Sequence, residues 1–299
     1  MSAGQVAGSR RGRRRPTQPK SVLYDAPGPS YRRHQLMVSL VGGLIVAGVV
    51  ALVTWKLASE GIFDSAKWKP FNNQKIWQNT LIPGLKLTLK AAGLSIALSI
   101  VAGVIFCAGR LSELRAVRYL FVVIVEVLRA TPVLLLILFF FIAWGKTLGT
   151  LWPLVIGLTL YNGAVLSETF RAGIAAVPRG QREAAYSVGM SKSQVMRLVL
   201  IPQAVRAMLP AIISQCVVVL KDTSLGYIVS YQELIRRGRT IYEQYDNIIP
   251  TAIVLAAMYI AVNYLLSRLA TFLESQQRRR GRATVDPATI EAPMESRAI

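Results

Sequence analysis

Histidine occurs once in these 299 residues and cysteine twice, and both scarcities exclude chemistry. His34 stands alone just ahead of the first apolar run, so a histidine-based catalytic centre has one badly placed candidate. Cys107 and Cys216 each lie inside an apolar run and offer neither a disulfide framework nor a paired metal-ligand spacing. With no zinc-ligand motif either, a membrane-embedded hydrolase lacks its parts, and no catalytic residue, metal or cofactor is expected. The phosphate-binding pattern G-x-x-x-x-G-K-[ST] is also missing, because Gly145-Lys146-Thr147 has no upstream glycine in register. Acidic residues are few, 15 against 35 Lys and Arg. In a soluble chain that imbalance suggests nucleic acid, but the apolar content rules out that setting.

Hydrophobic residues make up 53% of the chain and charged residues 17%, too apolar for a soluble domain of this size. They come in blocks of about 20, the helical length that crosses a hydrocarbon core of roughly 30 Å. Spans are expected at 36–57, 85–108, 119–144, 151–176, 207–228 and 249–273. The expected fold is therefore all-α, a polytopic membrane bundle of about six helices. A basic tail occupies 1–35, where Pro16, Pro19, Pro27 and Pro29 speak against a long helix. It reads as disordered, acting as a solvated orientation signal or resting on anionic lipid. The first block is too long for a signal-peptide core and reads as a retained span. A polar connection follows at 58–82, then a five-helix core at 83–273 and a second tail at 274–299.

Cations set the expected orientation. With the N-terminus inside, the inner segments hold 22 Lys and Arg and the outer connections 7, which places both termini in the cytoplasm of a plasma-membrane protein. Arg236, Arg237 and Arg239 run against the trend, and an amphipathic helix on the outer surface would account for them.

The segment 177–210 falls inside, between the fourth and fifth spans. Pro178 suits a first helical turn, 181–188 reads as helix, and Gly189 can take the left-handed conformation that ends it. Ser191 then fits an N-cap with Gln194 completing a capping box, and Pro202 is expected to interrupt the second short helix. The result is a rigid cytoplasmic elbow with small residues Ala184 and Ala185 on its face.

Glu183-Ala184-Ala185, Gly189, Val199 and Ile201-Pro202, at these spacings, resemble the EAA loop of importer-type ABC permeases. Val199 and Ile201 stand where the family commonly has Ile and Leu. The flanking runs 126–132, 167–174, 178–181 and 220–225 are similar to the polar amino-acid branch (histidine, glutamate, glutamine and arginine permeases) over about 83–273. The opening Ser21-Val-Leu-Tyr24-Asp-Ala-Pro-Gly28 looks like actinobacterial glutamate-type permeases. The resemblance implies that Glu183, Ala184, Ala185 and Gly189 form a coupling helix seated on a separate ATPase dimer. It also implies a second permease subunit, identical or homologous, an extracellular amino-acid-binding protein and an amino-acid substrate. Nucleic acid has no part in it.

Charges inside spans cost about 2.5–3.5 kcal/mol each on insertion scales and need a reason. Glu126 and Arg129 are three apart, so they can pair on one helical face or line the pathway. Lys221 and Asp222 are adjacent on a helix and cannot neutralise each other well. With Thr223 and Ser224 they either pair with other helices or meet the ammonium and carboxylate of a substrate. An ion-coupled secondary transporter could use the same charges, but it would show sizeable inverted repeats, and no matching halves are visible.

Overall fold

A computed structural model describes residues 29–282, and among these every regular element is helical. In chain order they are α1 (Pro29–Ser59), the short α2 (Ser65–Trp68) and α3 (Gln74–Ile76), α4 (Ile82–Arg110), α5 (Arg115–Ala130) and α6 (Val133–Leu148). Then follow α7 (Leu151–Ala175), α8 (Arg179–Ser187), α9 (Lys192–Gln194), α10 (Ile201–Asp222), α11 (Leu234–Tyr245) and α12 (Ile248–Arg282). The chain divides into two compact units, Met1–Gly61 and Ile62–Ile299.

The first unit is α1. It is described from Pro29 onward, so helix reaches into the stretch expected to be tail. Most of the basic run at 1–35 lies outside the described residues. Between His34 and Lys56 the helix carries no ionisable side chain, and its apolar residues from Leu36 to Trp55 are exposed. At the far end α12 continues to Arg282, beyond the expected limit of 273. The tail 283–299 lies outside the described residues.

Within the second unit α7 is the central helix, packed against α4, α5, α6 and α10. α4 meets it with small residues: Thr88, Ala91, Ala92, Ser95, Ser99, Gly103 and Cys107 are all buried. Two helices in lipid gain no hydrophobic free energy by associating, so close van der Waals contact between small residues carries the packing. A Cβ built on Gly163 of α7 would lie 2.8 Å from Ala102 Cβ, and one on Gly103 of α4 would lie 2.9 Å from Leu166 Cβ. Gly163→Leu is therefore expected to force these helices apart, costing at least the about 1–3 kcal/mol typical of overpacking. The check is the yield and melting temperature of the detergent-purified chain, and unchanged values would refute the close-contact account.

Four stretches are long and apolar enough to cross a membrane: Arg33–Ser59, Gln74–Arg110, Lys192–Tyr227 and Ile248–Arg268. A bent pair, α5 and α6, makes a fifth if it is one span. α7 covers the fourth expected block, 151–176, without being among them. It carries Asn162, Ser167, Glu168 and Arg171, which a helix enclosed by other helices can hold without facing lipid.

The third expected span, 119–144, is not one helix. The chain turns by 98° at Thr131-Pro132. Pro132 pushes its predecessor out of the helical region, and Thr131 accordingly sits at φ −81°, ψ 127°. Thr131 stays anchored to the first helix, its N–H and Oγ1 both donating to Val127 O at 3.0 and 2.8 Å.

Pro202 does the reverse of what was expected. Helix runs unbroken from Lys192 to Tyr227, 36 residues. A wide turn at Val195–Leu200 precedes the proline, with Ile201 N–H reaching Met196 O five residues back, so bonding is already displaced where the proline lacks a donor. The same device stands before α4: a wide turn at Trp77–Leu81, then Ile82-Pro83. There Asn79 O, the carbonyl that Pro83 cannot serve, accepts from Arg237 Nη1 of α11 at 3.1 Å.

That bond is one of several holding α11 in place. Leu234 N–H donates to Thr88 Oγ1 at 3.0 Å and Tyr231 OH to Leu87 O at 3.0 Å. Glu233 is fully buried and caps α11, accepting from the N–H groups of Ile235 and Arg236 and from Tyr259 OH of α12. Burial pushes its carboxyl up, against the pull of those donors.

Candidate functional site: the elbow and the intramembrane charges

α8 starts after Pro178, which is its N-cap rather than a residue of its first turn. Its other end is a complete left-handed cap: Met190 N–H reaches Ala185 O and Gly189 N–H reaches Tyr186 O. Gly189 holds φ +80°, which only glycine adopts cheaply. Ser191 and Gln194 form the expected capping box, each side chain serving the other's backbone N–H. Two opposed helix ends thus meet at one glycine.

The alanines divide the faces. Ala185 is buried with Val177, Val195, Leu200 and Ala204, which fixes α8 to the base of α10. Glu183 and Ala184 face outward. Beside them Tyr186, Val188 and Leu198 are exposed apolar side chains, Val188 at 76% and Leu198 at 67%. Lys192, just past the elbow, pairs with Glu113 of the α4–α5 connection, a partner not foreseen in the sequence. The hydrogen bond from Lys192 holds the Glu113 carboxyl below its ordinary range.

Glu126 and Arg129 do pair, at 3.4 Å, but within a larger cluster. Arg110 of α4 reaches Glu168 of α7 at 2.5 Å and Glu126 of α5 at 4.0 Å. Arg171 also pairs with Glu168, its Nε at 3.2 Å. Five charged side chains therefore tie α4, α5 and α7 together. Arg129 and Glu168 line a concavity of about 420 Å³ with Tyr161, Val165, Thr169 and Ala172. Arg110 and Glu168 lie 58 positions apart, a separation at which local spacing does not reveal a pair. An Arg–x₁₅–Glu–x₂–Arg pattern at the ends of neighbouring spans was the available signal.

Lys221 and Asp222 close the α-helical part of this long helix: α10 ends at Asp222 and tightens into a 3₁₀ turn over Thr223–Tyr227. A cation in the last turn suits the helix dipole. Lys221 is exposed and Asp222 half-buried, and neither makes an ion pair with a described residue. Thr223 is buried, its Oγ1 donating to Leu220 O at 2.6 Å, while Ser224 is half-buried. No hydrogen bond or ion pair among the described residues joins this group to the Glu126–Arg129 pair.

Residues 95–279 match the family described as the binding-protein-dependent transport system inner membrane component. The match begins within α4 and leaves α1 outside. The chain is 42% identical over 233 residues to the glutamate transport system permease protein GluD of Corynebacterium glutamicum, covering 76% of this chain and 85% of that one. It is 38% identical over 200 residues to the probable glutamine ABC transporter permease protein GlnP of Bacillus subtilis, covering 65% of this chain and 92% of that one. Among solved structures, an amino acid ABC transporter crystallised with histidines superposes with a TM-score of 0.63 at 28% identity, over 67% of this chain and 95% of its counterpart. The chain belongs to the inner-membrane components of binding-protein-dependent transport systems, the multi-pass permease subunits of ABC importers, which are not themselves enzymes.

Proposed function

We propose that this permease carries polar amino acids inward, glutamate-like substrates above all, and that it does so with a partner permease of the same or a homologous chain. An ATPase dimer supplies the energy, and an extracellular binding protein delivers the substrate. The observation that carries the substrate class is the naming of similar permeases for glutamate, glutamine and glutamate/aspartate. Glu183, Ala184 and Gly189 form the ATPase-docking elbow, with Ala185 as its inward anchor. The outward Glu183–Ala184 face and the exposed Val188 and Leu198 support that role, since a partner groove would cover them.

Glu126, Arg129, Lys221, Asp222, Thr223 and Ser224 line the substrate pathway in this reading. The absence of ion partners for Lys221 and Asp222 among the described residues supports it, because an amino acid brings both complementary charges. The direct test is ATP hydrolysis by the purified transporter against a panel of amino acids. Stimulation by acidic amino acids above neutral ones is expected, and indifference to all of them would overturn the assignment. Lys221→Met and Asp222→Asn are each expected to raise the half-saturating substrate concentration about tenfold to 150-fold, the worth of one hydrogen bond to a charged group. Complex yield should stay near normal. Collapsed yield in both single variants, restored in the double variant, would make the two residues a structural pair instead.

A further inference from the structure

α11 carries three arginines on the side where the charge distribution leaves room for few. Arg237 has a structural task, serving Asn79 O beside Pro83. Arg236 and Arg239 do not share it. Both guanidinium groups lie over the ring of Tyr227, at 5.6 and 6.0 Å from its centre. Arg239 also donates to Tyr227 OH at 2.9 Å and pairs with Glu243 at 2.5 Å. Arg236 has no ion partner among the described residues. With Gln232, Thr240 and Glu243 the two arginines line a concavity of about 260 Å³. Stacking on one ring holds two like charges close together without a neutralising acid for each, and the platform beneath is fixed by the Glu233 cap and the bonds to α4. Preorganised guanidinium forks of this kind match a planar, bidentate anion.

We propose that the Arg236–Arg239 concavity is a carboxylate-binding site on the outer face of the permease. The incoming carboxylate takes Arg236 directly and competes with Glu243 for Arg239, so Glu243 keeps the site weak and reversible. This rests on the permease reading and its orientation. Two sources supply the same chemistry, a free acidic amino acid or an acidic side chain of the binding protein.

The test uses the complete transporter reconstituted in phosphatidylcholine vesicles, with an arginine-specific dicarbonyl reagent added outside and adducts at Arg236 and Arg239 read by mass spectrometry. Glutarate, its neutral diamide and the substrate-loaded binding protein form separate arms. At about ten times the half-protecting concentration of glutarate or of the binding protein, Arg236 labelling is expected to fall about tenfold, because the guanidinium is then occupied in a bidentate pair in about nine-tenths of the molecules. Protection by glutarate assigns the free amino acid, and protection by the binding protein alone assigns its acidic side chain. Glu243→Gln should lower the half-protecting concentration severalfold, whereas Arg236→Gln should remove protection at Arg239. Equal protection by the diamide, no protection in any arm, or labelling only from the inner side would each overturn the proposal. ATP-driven uptake by the same vesicles reports on the permease reading separately.

Discussion

Gly189→Val is expected to cripple coupled uptake while leaving the chain inserted at normal abundance. A β-branched residue at φ +80° is strained whatever space surrounds it, and here the surroundings are open, so the penalty is conformational rather than steric crowding. Relief requires the cap to open, releasing Gly189 N–H from Tyr186 O and Met190 N–H from Ala185 O. The α8 axis then loses its fixed angle to the capping box at Ser191. Because Ala185 anchors α8 into its own apolar cluster, the bundle above should be spared. Uptake is expected to fall by more than about tenfold, the consequence of a local cost of about 1–3 kcal/mol concentrated at the docking surface. Partner ATP hydrolysis should lose its stimulation by substrate. Membrane abundance on immunoblot and ATP-driven uptake are the two measurements, and wild-type uptake at equal abundance would sink the coupling assignment.

Glu168→Gln is expected to be the most damaging single change in the charge cluster. The side chain of Arg110 is only 8% exposed and its first partner is Glu168, with Glu126 more distant at 4.0 Å. Neutralising Glu168 strands that cation, and removing one member of a buried pair costs about 3–5 kcal/mol. Arg110→Met should be milder, because Glu168 retains Arg171, itself well exposed. The double variant Arg110→Met/Glu168→Gln should recover most of the stability, since neither charge is then left alone. Thermal melting of the purified transporter gives the three values. Wild-type stability in both single variants would show that the cluster contributes nothing to the fold.

The parts of this protein that could be read from sequence are those whose cause is local. Four of the six apolar blocks, 36–57, 85–108, 207–228 and 249–273, declare a helix long and apolar enough to span by length alone, and the elbow needs only Gly189 and the three-residue spacing of Ser191 and Gln194. Proline shows the limit. Pro132 and Pro202 look alike in sequence, yet one accompanies a 98° turn and the other is absorbed by a widened turn in an unbroken helix. Which outcome prevails depends on whether neighbouring turns can shift their bonding, and residue type does not disclose that. The cluster centred on Arg110 was hidden for a different reason: its members lie on three helices, and only their packing brings them together. The small-residue face of α4, by contrast, has a local cause, since Ala91, Ala92, Ser95, Ser99 and Gly103 recur at helical spacing inside an otherwise apolar span.

The unbroken helix from Lys192 to Tyr227 has a mechanical meaning. Its lower end joins the elbow, and Asp222 lies about 45 Å away at 1.5 Å per residue. A rod of that length is a lever arm: a tilt of about 10° at the elbow sweeps the far end through roughly 8 Å, more than one helical turn. The widened turn at Val195–Leu200 and Pro210 are the two places along the rod where its stiffness is interrupted. Stiffening the lower one, by deleting a single residue from that turn to restore ordinary helical bonding, would therefore also rotate everything beyond it by about 100°, carrying Lys221 and Asp222 to a different side of the helix.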